Sequence, residues 1–145
     1  MKICIAGTFD PFTLGHKWLW NYANKLMADN AGIIIGDHKD KQPQLPLSSR
    51  KQQIENALAT KVIMLNSSEL LPNVMVQHGY NTLLRGLRNA NDFAYEADIA
   101  SIYRDINADI NIIYATPPPE LRHISSSLVR QLNKYDDISN KYLGI

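Results

Sequence analysis

Short, unbroken apolar runs constrain this chain more than any other feature. They occupy residues 2–6 (KICIA), 33–35 (III), 61–65 (KVIML) and 110–115 (INIIYA), with TLLR at 82–85 as a fifth. A strand with one wet face alternates polar and apolar residues, whereas a continuously apolar strand is covered on both faces. Between the runs lie stretches that read as helices. In 16–27 (HKWLWNYANKLM), Leu19, Tyr22, Ala23, Leu26 and Met27 fall on one face. Ser49 and Gln52 form a capping-box pattern for a helix to about Leu58. Pro72 suits a first helical turn and Gly79 a helix end. Asn91 or Asp92 caps a segment running to about Ile106, and Ser125 caps SSLVRQLNK at 126–134.

This alternation predicts an α/β fold: a five-stranded parallel sheet with helices on both faces, Rossmann-like in its layering. The 145 residues fit one domain spanning 1–145, without internal repeat or linker. Ligands in such sheets bind beyond the carboxyl ends of the strands. The turns to watch are therefore 7–16, 36–43, 66–71, 85–88 and 116–127.

Charge and cysteine content narrow the function class. Net charge is +1, without the basic excess of a nucleic-acid binder. The single cysteine, Cys4, sits in an apolar run and reads as a buried reduced thiol, without a CxxC pair. No signal-peptide pattern opens the chain, and no run reaches the length of a membrane helix. A cytoplasmic protein with no membrane partner is the expectation.

The rim turns are rich in groups that suit phosphate. GTFDPFTLGH (7–16) brings Gly7 and Gly15, where a backbone can approach a ligand closely. It ends on His16 at a helix start, a place that favours anions and disfavours a second positive charge. Arg85 and Arg88 flank Gly86 at a strand end and offer forked donors. Ser125, Ser126 and Ser127 stand at another helix start, where hydroxyls and backbone N–H groups can meet a phosphate. Lys39 and Lys41 lie in a polar loop. Each also has a plainer reading: a solvated turn, solvated arginines, one N-cap serine, a solvated charge run. Asp10 suits a metal contact or an Asp-Pro turn equally, and His38 and His78 read as solvated. Candidate bases are few. That suits a reaction whose nucleophile is already an anion, such as a phosphate monoester attacking a nucleotide α-phosphorus.

Thr13-Leu14-Gly15-His16 resembles the T-x-G-H signature of a nucleotidyltransferase superfamily. With LLRGLRNANDFAYE (83–96) and ISSSLV (124–129) in this order, the chain resembles the bacterial phosphopantetheine adenylyltransferases to about residue 140. The resemblance implies transfer of AMP from ATP to 4′-phosphopantetheine, giving dephospho-coenzyme A and pyrophosphate, with magnesium (Mg2+). It implies catalytic roles for His16, Lys41 and Arg88. It places Thr8, Phe9, His16, Gly86, Leu87, Arg88, Glu96 and the segment Leu121, Arg122, His123, Ile124, Ser125, Ser126 and Ser127 around ATP. Thr8, Lys41, Leu71 and Arg85 would meet the acceptor. A homo-oligomer, usually a hexamer, and feedback by coenzyme A also follow from it.

The chain departs from that pattern in places. Tyr103 stands where the family usually has an asparagine near the pantetheine arm, and His123 replaces an aromatic before ISSS. Leu121-Arg122, Ala6 and Pro46-Leu47-Ser48-Ser49 also differ, and the chain stops at Ile145 without the family's final helix. These keep two alternatives in view: a related nucleotidyltransferase with another phosphate acceptor, and a non-catalytic nucleotide or coenzyme A binder.

Overall fold

The computed structural model describes residues 1–38 and 42–145, with Asp136 described by its backbone alone. Five strands form one all-parallel sheet: β1 (Ile3–Gly7), β2 (Ala31–Gly36), β3 (Val62–Leu65), β4 (Thr82–Gly86) and β5 (Asn111–Ala115). Their order is β3-β2-β1-β4-β5. The central strand is β1, with Ile5 opposite Ile33 on one side and Leu84 on the other. The helices are α1 (Leu14–Met27), α2 (Leu47–Leu58), α3 (Leu71–Gln77), α4 (Ala90–Ile106), α5 (Ser126–Gln131) and α6 (Asp136–Ser139).

Alternate residues of each strand enter different cores, as the pleat requires. Ile3, Ile5, Ile33, Ile35, Val62 and Leu84 pack with Leu19, Trp20 and Ala23 of α1 and Ile54 of α2. Cys4, Ile34 and Leu83 pack with Leu71, Val74 and Met75 of α3. Tyr103 of α4 lies partly buried against this second core. Helices therefore cover both faces, and this explains the unbroken apolar runs. Each fully buried Ile or Leu contributes about 1.5–3 kcal/mol of transfer free energy.

The boundaries correct several expectations. Helix α1 starts at Leu14, so His16 is its third residue rather than its first. Its buried face is Leu19, Trp20 and Ala23, while Tyr22 and Leu26 are 37% and 41% exposed. Helix α2 starts at Leu47 behind Pro46, two residues ahead of the Ser49–Gln52 pattern, because Arg50 N–H already bonds the Pro46 carbonyl. The cap of α4 is Asn89, whose side chain accepts from Asp92 N–H, in place of Asn91 or Asp92. Ser125 caps α5 as expected, accepting from Leu128 N–H at 3.1 Å. Gly79 takes a left-handed φ of 78° just past α3. Among the described residues, no helix is long and apolar enough to cross a membrane.

Candidate active site

The sheet order reverses direction at β1, with β2 on one side and β4 on the other. Open parallel sheets gather ligands at this kind of crevice. A cleft of about 550 Å³ lies there, lined by Gly7 at the end of β1, Thr8 after it, Arg85 and Gly86 of β4, and Ser125 to Ser127 at α5. Thr13, His16, Trp18 and Gln42 line it as well. The turn at 66–71 does not, because β3 is an edge strand one position beyond β2.

The opening turn is held by its carbonyls. Arg50 Nη1 donates to the Thr8 carbonyl and Arg130 Nη1 to the Asp10 carbonyl. Ser126 Oγ donates to the Pro11 carbonyl at 2.8 Å, and Gly144 N–H to the Phe12 carbonyl at 3.0 Å. The Asp10 carboxylate accepts Gln44 N–H at 2.9 Å and lies 3.9 Å from Arg130 Nη1. The Asp10 carboxylate thus takes part in holding the turn, one of its two sequence readings. In a trans peptide the C=O and the next N–H point opposite ways. Fixing the Thr8 carbonyl on Arg50 therefore also aims Phe9 N–H to the other side.

Phe9 takes a φ of 49° and the residue is only 4% exposed. The ring stands edge-on to His16 at 4.9 Å and 5.3 Å from Phe12. Gly7 is explained by this ring: a Cβ there would come within 2.9 Å of it. The space a side chain would take at Gly7 is filled by this ring, and Gly7 itself still lines the cleft. Gly15 has ordinary room for a Cβ, whose nearest neighbour would be Thr13 Oγ1 at 3.6 Å.

His16 has a defined tautomer. Its Nδ1 accepts Thr13 N–H at 3.0 Å and lies 3.2 Å from Thr13 Oγ1. A ring nitrogen that accepts carries no proton, so the neutral imidazole bears its hydrogen on Nε2. The site therefore holds a neutral ring with an Nε2–H donor.

Arg85 and Glu96 form a forked pair. Arg85 Nε lies 2.9 Å from Glu96 Oε2, its Nη2 2.5 Å from Oε1, and its Nη1 2.8 Å from the Ala6 carbonyl. Burial works against the Arg85 charge, but the Glu96 hydrogen bonds and charge outweigh it and raise its proton affinity. Arg88 pairs with Asp92 at 3.2 Å, and both line the cleft.

The serine hydroxyls are engaged by the scaffold. Ser125 caps α5, Ser126 holds Pro11, and Ser127 Oγ accepts Arg130 Nη2 at 3.2 Å. All three serines line the cleft, and Ser125 and Ser127 accept these bonds, which leaves their O–H groups able to donate. Leu121 and Ile124 line the cleft. Arg122 and His123 are exposed, and His123 stands edge-on to Tyr142 at 5.6 Å. Leu87 ties to the sheet through its N–H on the Ala115 carbonyl. Leu71 is buried in the second core rather than on the cleft wall. Lys41 lies outside the described residues. His38 and His78 are exposed.

Arg50 and Arg130 escaped the sequence reading, since a helical arginine without a motif reads as a solvated face. Several of their partners are backbone carbonyls, which no residue pattern marks. Among the described residues, no group of three His, Cys, Asp or Glu could hold a metal ion. The cleft carboxylates Asp10, Asp92 and Glu96 each face an arginine.

The profile of the cytidylyltransferase-like family matches residues 4–132. A phosphopantetheine adenylyltransferase of Parvibaculum lavamentivorans is 37% identical over 141 residues, covering 92% of this chain and 82% of that protein. One from Streptococcus pneumoniae is 38% identical over 134 residues, covering 90% and 82%. One from Limosilactobacillus reuteri is 31% identical over 146 residues, covering 99% and 84%. Two solved structures share the fold at low identity. The lipopolysaccharide core biosynthesis protein of Thermoplasma volcanium has a TM-score of 0.62 at 17% identity, over 81% of this chain and 98% of that one. Thermotoga maritima TmcAL, bound with alpha-thio ATP, has a TM-score of 0.65 at 13% identity, over 99% and 53%.

Proposed function

The chain belongs to the cytidylyltransferase-like family, among its phosphopantetheine adenylyltransferases, and is a nucleotidyltransferase of coenzyme A synthesis; we propose how its cleft performs the transfer. A phosphate oxygen of 4′-phosphopantetheine attacks the α-phosphorus of ATP. The new P–O bond forms as the bond to the β-phosphate oxygen breaks, and pyrophosphate leaves with its electron pair. The attacking oxygen is already anionic, so no base is needed. Catalysis is positioning and charge neutralisation.

The observation that carries this reading is the Thr13 N–H bond to His16 Nδ1. It leaves the hydrogen on Nε2, where a neutral donor can meet the charge that grows on the α-phosphate. Arg88 and Lys41 neutralise the phosphates, with Thr8 between the two substrates. Arg85 takes the acceptor phosphate. Phe9, Gly86, Leu87 and the 121–127 segment surround ATP. Glu96 acts through Arg85, because both its oxygens already hold that guanidinium. The described carboxylates each face an arginine and do not fit a resident metal ion; magnesium would enter with ATP, as the counter-ion of its phosphates.

Cytoplasmic location, a hexamer and coenzyme A feedback belong to the same proposal. Exposed Phe93, Tyr95 and Ile102 on α4 support self-association. A second reading, a different phosphate acceptor, draws on Tyr103 and Leu71, which contribute to the same packed core.

The test is pyrophosphate release with magnesium and ATP or CTP against a panel of phosphate acceptors. Preference for ATP and phosphopantetheine supports the reading. Preference for another acceptor favours the second, and tight coenzyme A binding without release would leave a silent binder.

A further inference from the structure

Arg50 is the largest fully buried side chain of the described residues, at 1% exposure. A buried guanidinium is costly unless each edge is matched. Here the matches come from three separate segments. Nε donates to the Leu45 carbonyl at 2.9 Å, Nη1 to the Thr8 carbonyl, and Nη2 to Asp37 Oδ1. Leu45 precedes α2, Thr8 follows β1, and Asp37 follows β2. One rigid planar group thus fixes the relative positions of three pieces of the rim.

Arg50 is not among the residues lining the cleft, so any effect on chemistry passes through others. The most direct route is the Thr8–Phe9 peptide. Its carbonyl is held by Arg50, Thr8 lines the cleft, and the Phe9 ring packs on His16. Rotation of that peptide would move Phe9 N–H and shift the ring that braces the imidazole.

We propose that Arg50 is a positioning residue for the transfer step, setting the Thr8–Phe9 peptide and through it the placement of His16. Its kinetic consequence rests on the function proposed above; its structural consequence does not. The fork matters, beyond the charge. Lysine would keep the charge yet offer a point donor in place of a plane.

The test compares full-length wild type, Arg50→Lys and Arg50→Met. Three measurements are made: the urea midpoint, amide exchange of the peptide covering 7–16 against peptides covering β2 and β4, and steady-state kinetics. Arg50→Lys is expected to lower kcat by about ten- to a hundredfold, as small misplacements near the chemistry do. KM for both substrates should move by about threefold or less. Exchange should quicken in 7–16 and hold in β2 and β4. If Arg50→Met does not fold, Arg50→Lys decides alone. Wild-type kcat in Arg50→Lys overturns the proposal. So does unchanged exchange in 7–16, or a kcat loss equal to the unfolded fraction. If the wild type turns over no acceptor, the functional reading fails, and the exchange result still decides whether Arg50 sets the turn.

Discussion

Arg85 grips Glu96 with one whole edge of its guanidinium, Nε on Oε2 at 2.9 Å and Nη2 on Oε1 at 2.5 Å. Glu96 thereby holds the arginine assigned to the acceptor phosphate. Glu96→Gln keeps one acceptor oxygen but loses the charge and the matched fork. We expect a loss of about 1–3 kcal/mol, below the full cost of breaking a deeply buried pair because Arg85 is 27% exposed. KM for phosphopantetheine should rise more than KM for ATP. Urea unfolding and separate substrate titrations check both.

His16 should be essential through Nε2. His16→Ala is expected to lower kcat by about a hundred- to a thousandfold, as loss of one transition-state donor does. His16→Gln, which still presents an N–H donor, should fall less. Nitrogen-15 spectra of the labelled wild-type ring should show the Nε2–H tautomer. An Nδ1–H ring would contradict the Thr13 bond.

Gly144 should tolerate no side chain. A Cβ there would lie 2.4 Å from the Thr13 carbonyl oxygen and 2.9 Å from the Phe12 ring. Backbone cannot yield as a flexible side chain does. Gly144→Ala is expected to cost about 1–3 kcal/mol. Because Thr13 carries the bond to His16, kcat should fall as well. Thermal unfolding and pyrophosphate release measured on the folded protein separate the two effects.

Cys4 should be inert and alkali-sensitive. Burial pushes its thiol up from 9.0 to about 12, against the lowering pull of the Arg85 charge. The folded chain therefore favours the protonated thiol. That contribution is whole below pH 9 and is lost as the pH climbs toward about 12. Tyr80 and Tyr103, both raised chiefly by burial, act in the same direction. Native protein at neutral pH should react slowly with thiol reagents. Cys4→Ala should flatten part of the alkaline fall in stability, as urea midpoints across that range would show.

The layered fold was legible because its cause is local. Unbroken runs such as III at 33–35 are covered on both faces wherever they sit in a parallel sheet. The phosphate-rich turns were legible for a similar reason, since arginines at strand ends and a histidine at a helix start carry their chemistry in residue type. Helix starts were read less well. Ser49–Gln52 has the residues of a cap, yet α2 begins at Leu47 behind Pro46, because helix geometry follows backbone placement over side-chain pattern.

By itself the sequence determined the alternation of strands and helices, the rim on which ligands gather, and the residues that resemble an adenylyl-transfer site. Those properties depend on periodicity and on chemistry within short segments. Only the tertiary structure decided what each polar group does. It set Ser126 on the Pro11 carbonyl and Ser125 on the start of α5, gave Asp10 to Gln44 and Arg130, filled the space at Gly7 with the Phe9 ring, and buried Arg50 against three segments. The physical reason is that a hydrogen bond needs two partners, and here one partner is usually a backbone carbonyl far along the chain. Residue identity names the donor, and only folding brings its acceptor within reach.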